Sequence, residues 1–205
     1  MPDGLTVHTY VPEAALGDDG SADLTGSAFY YDFVVPDCYL MAERVLGDLP
    51  VVPEWMPVAL GEPPAEFDRS AFGDRIAQQH LQPLRWPAPW PWDPKPALLA
   101  ATYAKSIGRA VPFSLAAFRQ AYAGGRDLSD TDTVLIAAAA NEMHPRAVLK
   151  ALELRSVATA LSSATENARA IGVSQLPALR VGSAIFTGPD AIEAAGAAML
   201  EQGSP

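Results

Sequence analysis

Cys38 is the only cysteine in this 205-residue chain, and its neighbours set what sulfur chemistry the sequence can support. Pro36 opens a helix-like run from Asp37 to Gly47, in which Tyr39, Leu40, Ala42, Val45 and Leu46 are the apolar members. Proline suits a first helical position because its missing N–H has no partner there. The start of a helix presents unpaired N–H groups and the positive end of the helix dipole. A thiolate held there is stabilised, which makes sulfur a nucleophile at neutral pH. The residue best placed for this is the cap, and it is Val35, which has no nucleophile and offers the free N–H groups no acceptor. Cys38 lies further in. A single thiol closes no intramolecular disulfide, and exchange needs a second sulfur to release a mixed disulfide. Asp37 sets a negative charge beside that thiol and favours its protonated form. Cys38 reads either as a small buried apolar residue or as a monothiol that pairs with a small-molecule thiol.

The surrounding elements decide whether these residues can meet a ligand. Residues 1–26, with Asp18-Asp19-Gly20-Ser21 at their centre, read as a loosely held tail containing a short strand at Thr6 to Val11. The aromatic and β-branched run from Ala28 to Val35 predicts a strand buried on both faces. A second strand falls between Val51 and Leu60, where Pro53 and Pro57 confine it to an edge or to short pieces. Helical patterns then recur at 70–81, 96–107, 112–123, 130–142, 145–154 and 157–171, many opened by Pro or Asp and closed near Gly. Two short runs, Ala178 to Val181 and Ala184 to Thr187, flank Gly182-Ser183 and predict a hairpin. A last helix covers about 190–201.

This order predicts an α/β layer fold with a helical insertion. Residues 27–62 and 172–203 would form the core and residues 63–171 the inserted helices.

Three segments, in order, resemble one superfamily. Tyr31-Asp32-Phe33-Val34-Val35-Pro36-Asp37-Cys38-Tyr39-Leu40 resembles the place where DsbA-like oxidoreductases carry an aromatic strand and Cys-Pro-x-Cys, and where 2-hydroxychromene-2-carboxylate isomerases and kappa-class glutathione transferases carry Ser-Pro-Tyr-Ser. Gly172 to Val181 resembles the loop of that superfamily that holds a cis-proline, here Leu176-Pro177. Phe186-Thr187-Gly188-Pro189-Asp190 resembles the Phe-x-Gly-x-Asp of the isomerase and kappa branch. The resemblance spans about residues 27–200. It implies a thioredoxin-like core, with a mixed four-stranded sheet, a closing hairpin and a helix, interrupted by an all-helical insertion.

The function the resemblance implies is that of a thiol-dependent isomerase or transferase, or an oxidoreductase, acting on a small apolar substrate with glutathione or another low-molecular-weight thiol as cofactor. Val35, Pro36 and Cys38 would occupy the catalytic positions, Val35 standing where relatives have the nucleophile. Leu176, Pro177, Gly188 and Asp190 would bind the cofactor: Leu176 through its backbone, Asp190 through the γ-glutamyl ammonium. Pro189 stands where relatives have a polar residue whose N–H binds the ligand carboxylate, and proline lacks that donor. Asp190 has a second reading as an acidic residue complementing the last helix's dipole. Tyr39 and the tryptophans Trp86, Trp90 and Trp92 would wall an apolar substrate cleft or, in the plainer reading of the tryptophans, pack the first helices of the insertion. The alternative to an enzyme is a binding or regulatory module that keeps the fold and has lost catalysis. A homodimer is one assembly the resemblance allows.

Composition narrows the partners. The net charge of −10 repels phosphate backbones and anionic lipid heads, which argues against nucleic acid and membrane surfaces. The N-terminus shows neither the basic nor the apolar region of a secretory signal, so the expected location is cytoplasmic. His8, His80 and His144 show no metal spacing, and with one cysteine no zinc pair exists.

Overall fold

A computed structural model describes residues 6–8, 26–64 and 66–202. The first element is β1 (Thr6–His8); the rest of the expected strand to Val11, and nearly all of the expected tail, lie outside the described residues. The elements that follow are β2 (Ser27–Tyr31), α1 (Pro36–Asp48), β3 (Glu54–Pro57), α2 (Arg69–Gln78), α3 (Lys95–Ser106), α4 (Ala110–Tyr122), α5 (Thr131–Ala139), α6 (Pro145–Glu153), α7 (Arg155–Ala170), β4 (Ala178–Val181), β5 (Ala184–Thr187) and α8 (Ala191–Gln202).

The strands form one sheet in the order β1-β5-β4-β2-β3. β2 and β3 run parallel, joined by α1 as the crossover that a parallel pair requires. β4 is antiparallel to both β2 and β5. Gly182, at φ +58°, supplies the positive dihedral that the tight turn between β4 and β5 needs. The expected four-stranded mixed sheet is present, and β1 extends it by pairing antiparallel with β5. The hairpin is therefore interior, while the proline-bounded β3 lies at the sheet border, as Pro53 and Pro57 require.

Alternation along β2 builds two cores. Phe29 and Tyr31 face one side, where they join Tyr39 and Val45 of α1, Phe118 and Tyr122 of α4, and Ile192 and Ala195 of α8. Ala28 and Tyr30 face the other, where Ala164 and Ala168 of α7 close over Val58, Ala178 and Ile185. The last helix of the helical block thus covers the second face of the sheet.

Buried hydrogen bonds tie the helical block to the strand that leads into α1. Tyr31 Oη and Ser114 Oγ lie 2.6 Å apart, and the Tyr122 hydroxyl donates to the Phe33 carbonyl at 2.9 Å. Arg119 of α4 forks onto both oxygens of Glu43 in α1 at 2.6 Å each. A bidentate pair of this kind fixes orientation as well as distance.

Candidate functional site

β2 ends at Tyr31, shorter than the expected run to Val35, because the chain turns there: the Val35 N–H donates back to the Asp32 carbonyl at 3.3 Å. That turn delivers Val35 to the cap of α1 with extended dihedrals (φ −96°, ψ 109°), and Val35 makes no side-chain cap hydrogen bond. Pro36 occupies the first helical position. At the opposite end of the chain, the loop before β4 carries a cis Leu176–Pro177 peptide.

These two places meet. Val35 and Leu176-Pro177 line one open groove of about 700 Å³, together with Gly188 and Pro189 at the start of α8. Its apolar lining includes Leu40 and Met41 of α1 and Ile192 of α8. Its charged lining is mostly self-compensated. Arg75 of α2 pairs with Asp37 at 2.6 Å, and Arg44 pairs with Glu193 at 2.6 Å and Asp48 at 2.7 Å. Gln79 also lines the groove, and its Oε1 is buried with no hydrogen-bond partner among the described residues. The α1 residues that reach the groove are Asp37, Leu40, Met41 and Arg44, a single helical face.

Several residues expected at the site stand elsewhere. Cys38 is outside the groove lining and fully buried in the core; burial drives its thiol well above the ordinary range, and the Asp32 and Asp37 carboxylates push the same way. Tyr39 does not line the groove. It is buried and stacks on Tyr122 at 5.4 Å between ring centroids, and burial pushes its hydroxyl up to about 12. Trp86, Trp90 and Trp92 pack edge-on in series at 4.7 and 4.6 Å and touch Tyr122, so they serve the packing of the helical block and do not wall the groove. Trp90 lines a separate crevice of about 440 Å³ with Pro63, Pro64, Phe67, Arg69 and Pro91. Asp190 is exposed and outside the groove lining; its carbonyl accepts the Ala194 N–H at 3.0 Å as α8 begins.

The sequence reading passed over Asp32. Only 1% of this residue is exposed, yet it is a carboxyl. Its Oδ1 accepts the Val34 N–H at 3.2 Å and its Oδ2 the Gly61 N–H at 3.0 Å. Desolvation raises the carboxyl to about 7, against those N–H groups, which favour the charged form. An acid in an otherwise apolar strand was the available signal. Arg75, Gln79 and Gly61 carried none, since only the path of the chain after β3 brings them to the groove.

No cluster of metal-ligating side chains occurs among the described residues, and no helix among them is long and apolar enough to cross a membrane.

No family model matches the sequence, and no curated protein matches it either. Solved structures do. A 2-hydroxychromene-2-carboxylate isomerase superposes with a TM-score of 0.73 at 15% identity, covering 85% of this chain and 94% of that one. A probable DsbA oxidoreductase from Streptomyces coelicolor gives 0.66 at 16% identity, with 86% and 88% covered. DsbA from Xylella fastidiosa gives 0.58 at 13% identity, with 89% and 90% covered. Likeness at this level of identity carries the fold: a thioredoxin-like α/β core of the DsbA kind with its helical insertion.

Proposed function

We propose that this chain is a DsbA-family protein of the isomerase and kappa-transferase branch, whose groove binds a glutathione-like thiol and acts on a small apolar substrate, the reactive sulfur coming from the ligand. The observation that carries this reading is the open groove shared by the start of α1 and the cis Leu176–Pro177 loop. The protein lends no nucleophile there, because Val35 has none and Cys38 is sealed in the core outside the groove lining. What it lends is the positive end of α1, the Leu176-Pro177 segment of the groove wall and an apolar floor. A ligand thiolate at the start of α1 would gain from the helix dipole. Proton loss from the ligand thiol then makes the sulfur a nucleophile toward the apolar substrate.

Calorimetric titration with glutathione and with N-acetylcysteine tests this. Saturable binding of at least one is expected, and its loss on filling the groove, as in Gly188→Trp, locates it. Failure of every low-molecular-weight thiol to bind overturns the reading.

A second reading, a binding module without catalysis, is favoured by Val35 itself, since branch relatives use a serine there to donate to the thiolate. Val35→Ser separates the two. It raises thiol-transfer activity if the groove is a weakened enzyme site and leaves activity at zero if the site only binds.

A further inference from the structure

The Asp32 carboxyl bridges two segments that both wall the groove. Its Oδ1 takes the Val34 N–H, one residue before the α1 cap, and its Oδ2 takes the N–H of Gly61, on the loop after β3. Val35 and Gly61 line the groove; Asp32 itself does not. The contact is close enough that Gly61 has no room for a side chain, because a Cβ there would lie 2.7 Å from Asp32 Cβ and Cγ. No salt bridge reaches Asp32 among the described residues. The ionisable groups that face it are Asp93 ahead of α3, Cys38 of α1, Tyr31 of β2 and Tyr122 of α4. None of these is a cation, so among the described residues only N–H groups favour its charged form.

We propose that Asp32 is a positioning residue that clamps the Gly61 wall to the start of α1, and that protonating it slackens the clamp and weakens ligand binding in the groove. The proposal rests on the reading of the groove as a ligand site and adds its control by protons. Hydrogen bonds to an ionised acceptor are stronger than those to a neutral one. In the protonated acid one oxygen bears hydrogen and can no longer serve one of the two N–H groups as acceptor in the same way. Burial puts this change at about 7, within the range in which cells vary.

The test begins without a ligand. Nitrogen-15 spectra of the whole chain, recorded from pH 5.5 to 8.5, should show the Gly61 and Val34 amides moving with one midpoint near 7, and Val35 and Leu176 moving with them. Asp32→Asn should remove that titration while the fold, read from the dispersion of the remaining amides, is retained. A Gly61 amide that stays flat in the wild-type protein overturns the proposal, and so does a titration that stops at Gly61 and Val34. S-methylglutathione, which has no thiol to ionise, then probes affinity. It should bind about three- to tenfold tighter at pH 8 than at pH 6 in the wild-type protein, and equally at both in Asp32→Asn. Equal affinity in the wild type overturns the proposal. If neither this conjugate nor any thiol binds at any pH, the thiol reading has failed, and a midpoint near 7 shared by Gly61 and Leu176 still supports the clamp.

Discussion

The Cys38 N–H donates to the Val35 carbonyl at 3.0 Å, so the two residues share the first turn of α1 while their side chains part. Val35 reaches the groove and Cys38 enters the core behind it. In a dithiol enzyme the two corresponding positions carry sulfur, and the pair closes and opens. Here one of the two is a hydrocarbon, and the remaining sulfur is out of solvent.

The Cys38 thiol should therefore be inert in the native protein. With Ellman's reagent at pH 8, less than a tenth of the thiol is expected to react in the time that unfolded chain in guanidinium reacts completely, because burial both blocks access and disfavours the thiolate. Insulin reduction should stay at background.

Val35→Cys should change that. It places a second sulfur at the cap, where the helix end favours a thiolate, three positions before Cys38. Mass spectrometry of the oxidised variant should show loss of two hydrogens, and insulin reduction should rise at least tenfold above wild type. An unreactive double-thiol variant would mean that Cys38 cannot turn toward the cap.

Asp32 makes stability fall as pH rises. Its carboxyl titrates near 7 in the folded protein and near 4 in the unfolded chain, so the native state binds more protons between those values. The contribution is fully present below about pH 4 and is lost as pH climbs through 7, at most about 4 kcal/mol over the whole span. Urea denaturation at pH 5 and pH 8 should show this slope in the wild type and a smaller one in Asp32→Asn. Ionisation thus costs global stability while it tightens the local bonds at Gly61 and Val34.

Gly61→Ala should destabilise the fold by about 1–3 kcal/mol, since the added methyl overlaps the Asp32 side chain and the wall must move. Thermal unfolding reads the loss. The neighbouring Ala59→Gly change, at an exposed position beside it, serves as the control for loop entropy and should cost less.

Much of the fold was legible from local signals. The hairpin at 178–181 and 184–187 matches its expected bounds because Gly182 punctuates two short β-prone runs, and the prolines around β3 marked it as a border strand. The groove was legible in part. Pro36 and Leu176-Pro177 each announce a local backbone need; the groove reaches Leu176-Pro177 and Val35 just ahead of Pro36, while Pro36 itself is buried outside its lining. Tyr39 was expected at the cleft and the tryptophans were left between cleft and helix packing, because a large aromatic fits a cleft wall or a core equally well and only tertiary packing decides; the structure takes the packing reading for all four. On α1 that decision is a rotation of the helix, which sends Cys38 and Tyr39 inward and leaves Asp37, Leu40 and Met41 for the groove. Asp32 stood inside the run expected to be a strand buried on both faces, and nothing in the sequence tied its carboxyl to the Gly61 loop, which only the path of the chain after β3 brings to it.

The borders of the sheet carry a consequence for how the protein survives at high concentration. An open strand edge is a template on which other chains can polymerise into fibrils. β1 covers the β5 side of the hairpin, and the far border of the sheet is Glu54–Pro57, preceded by Pro53, where two missing N–H donors interrupt any would-be recruit. Deleting residues 1–8 would bare β5, and amyloid-type self-association should begin from that flank.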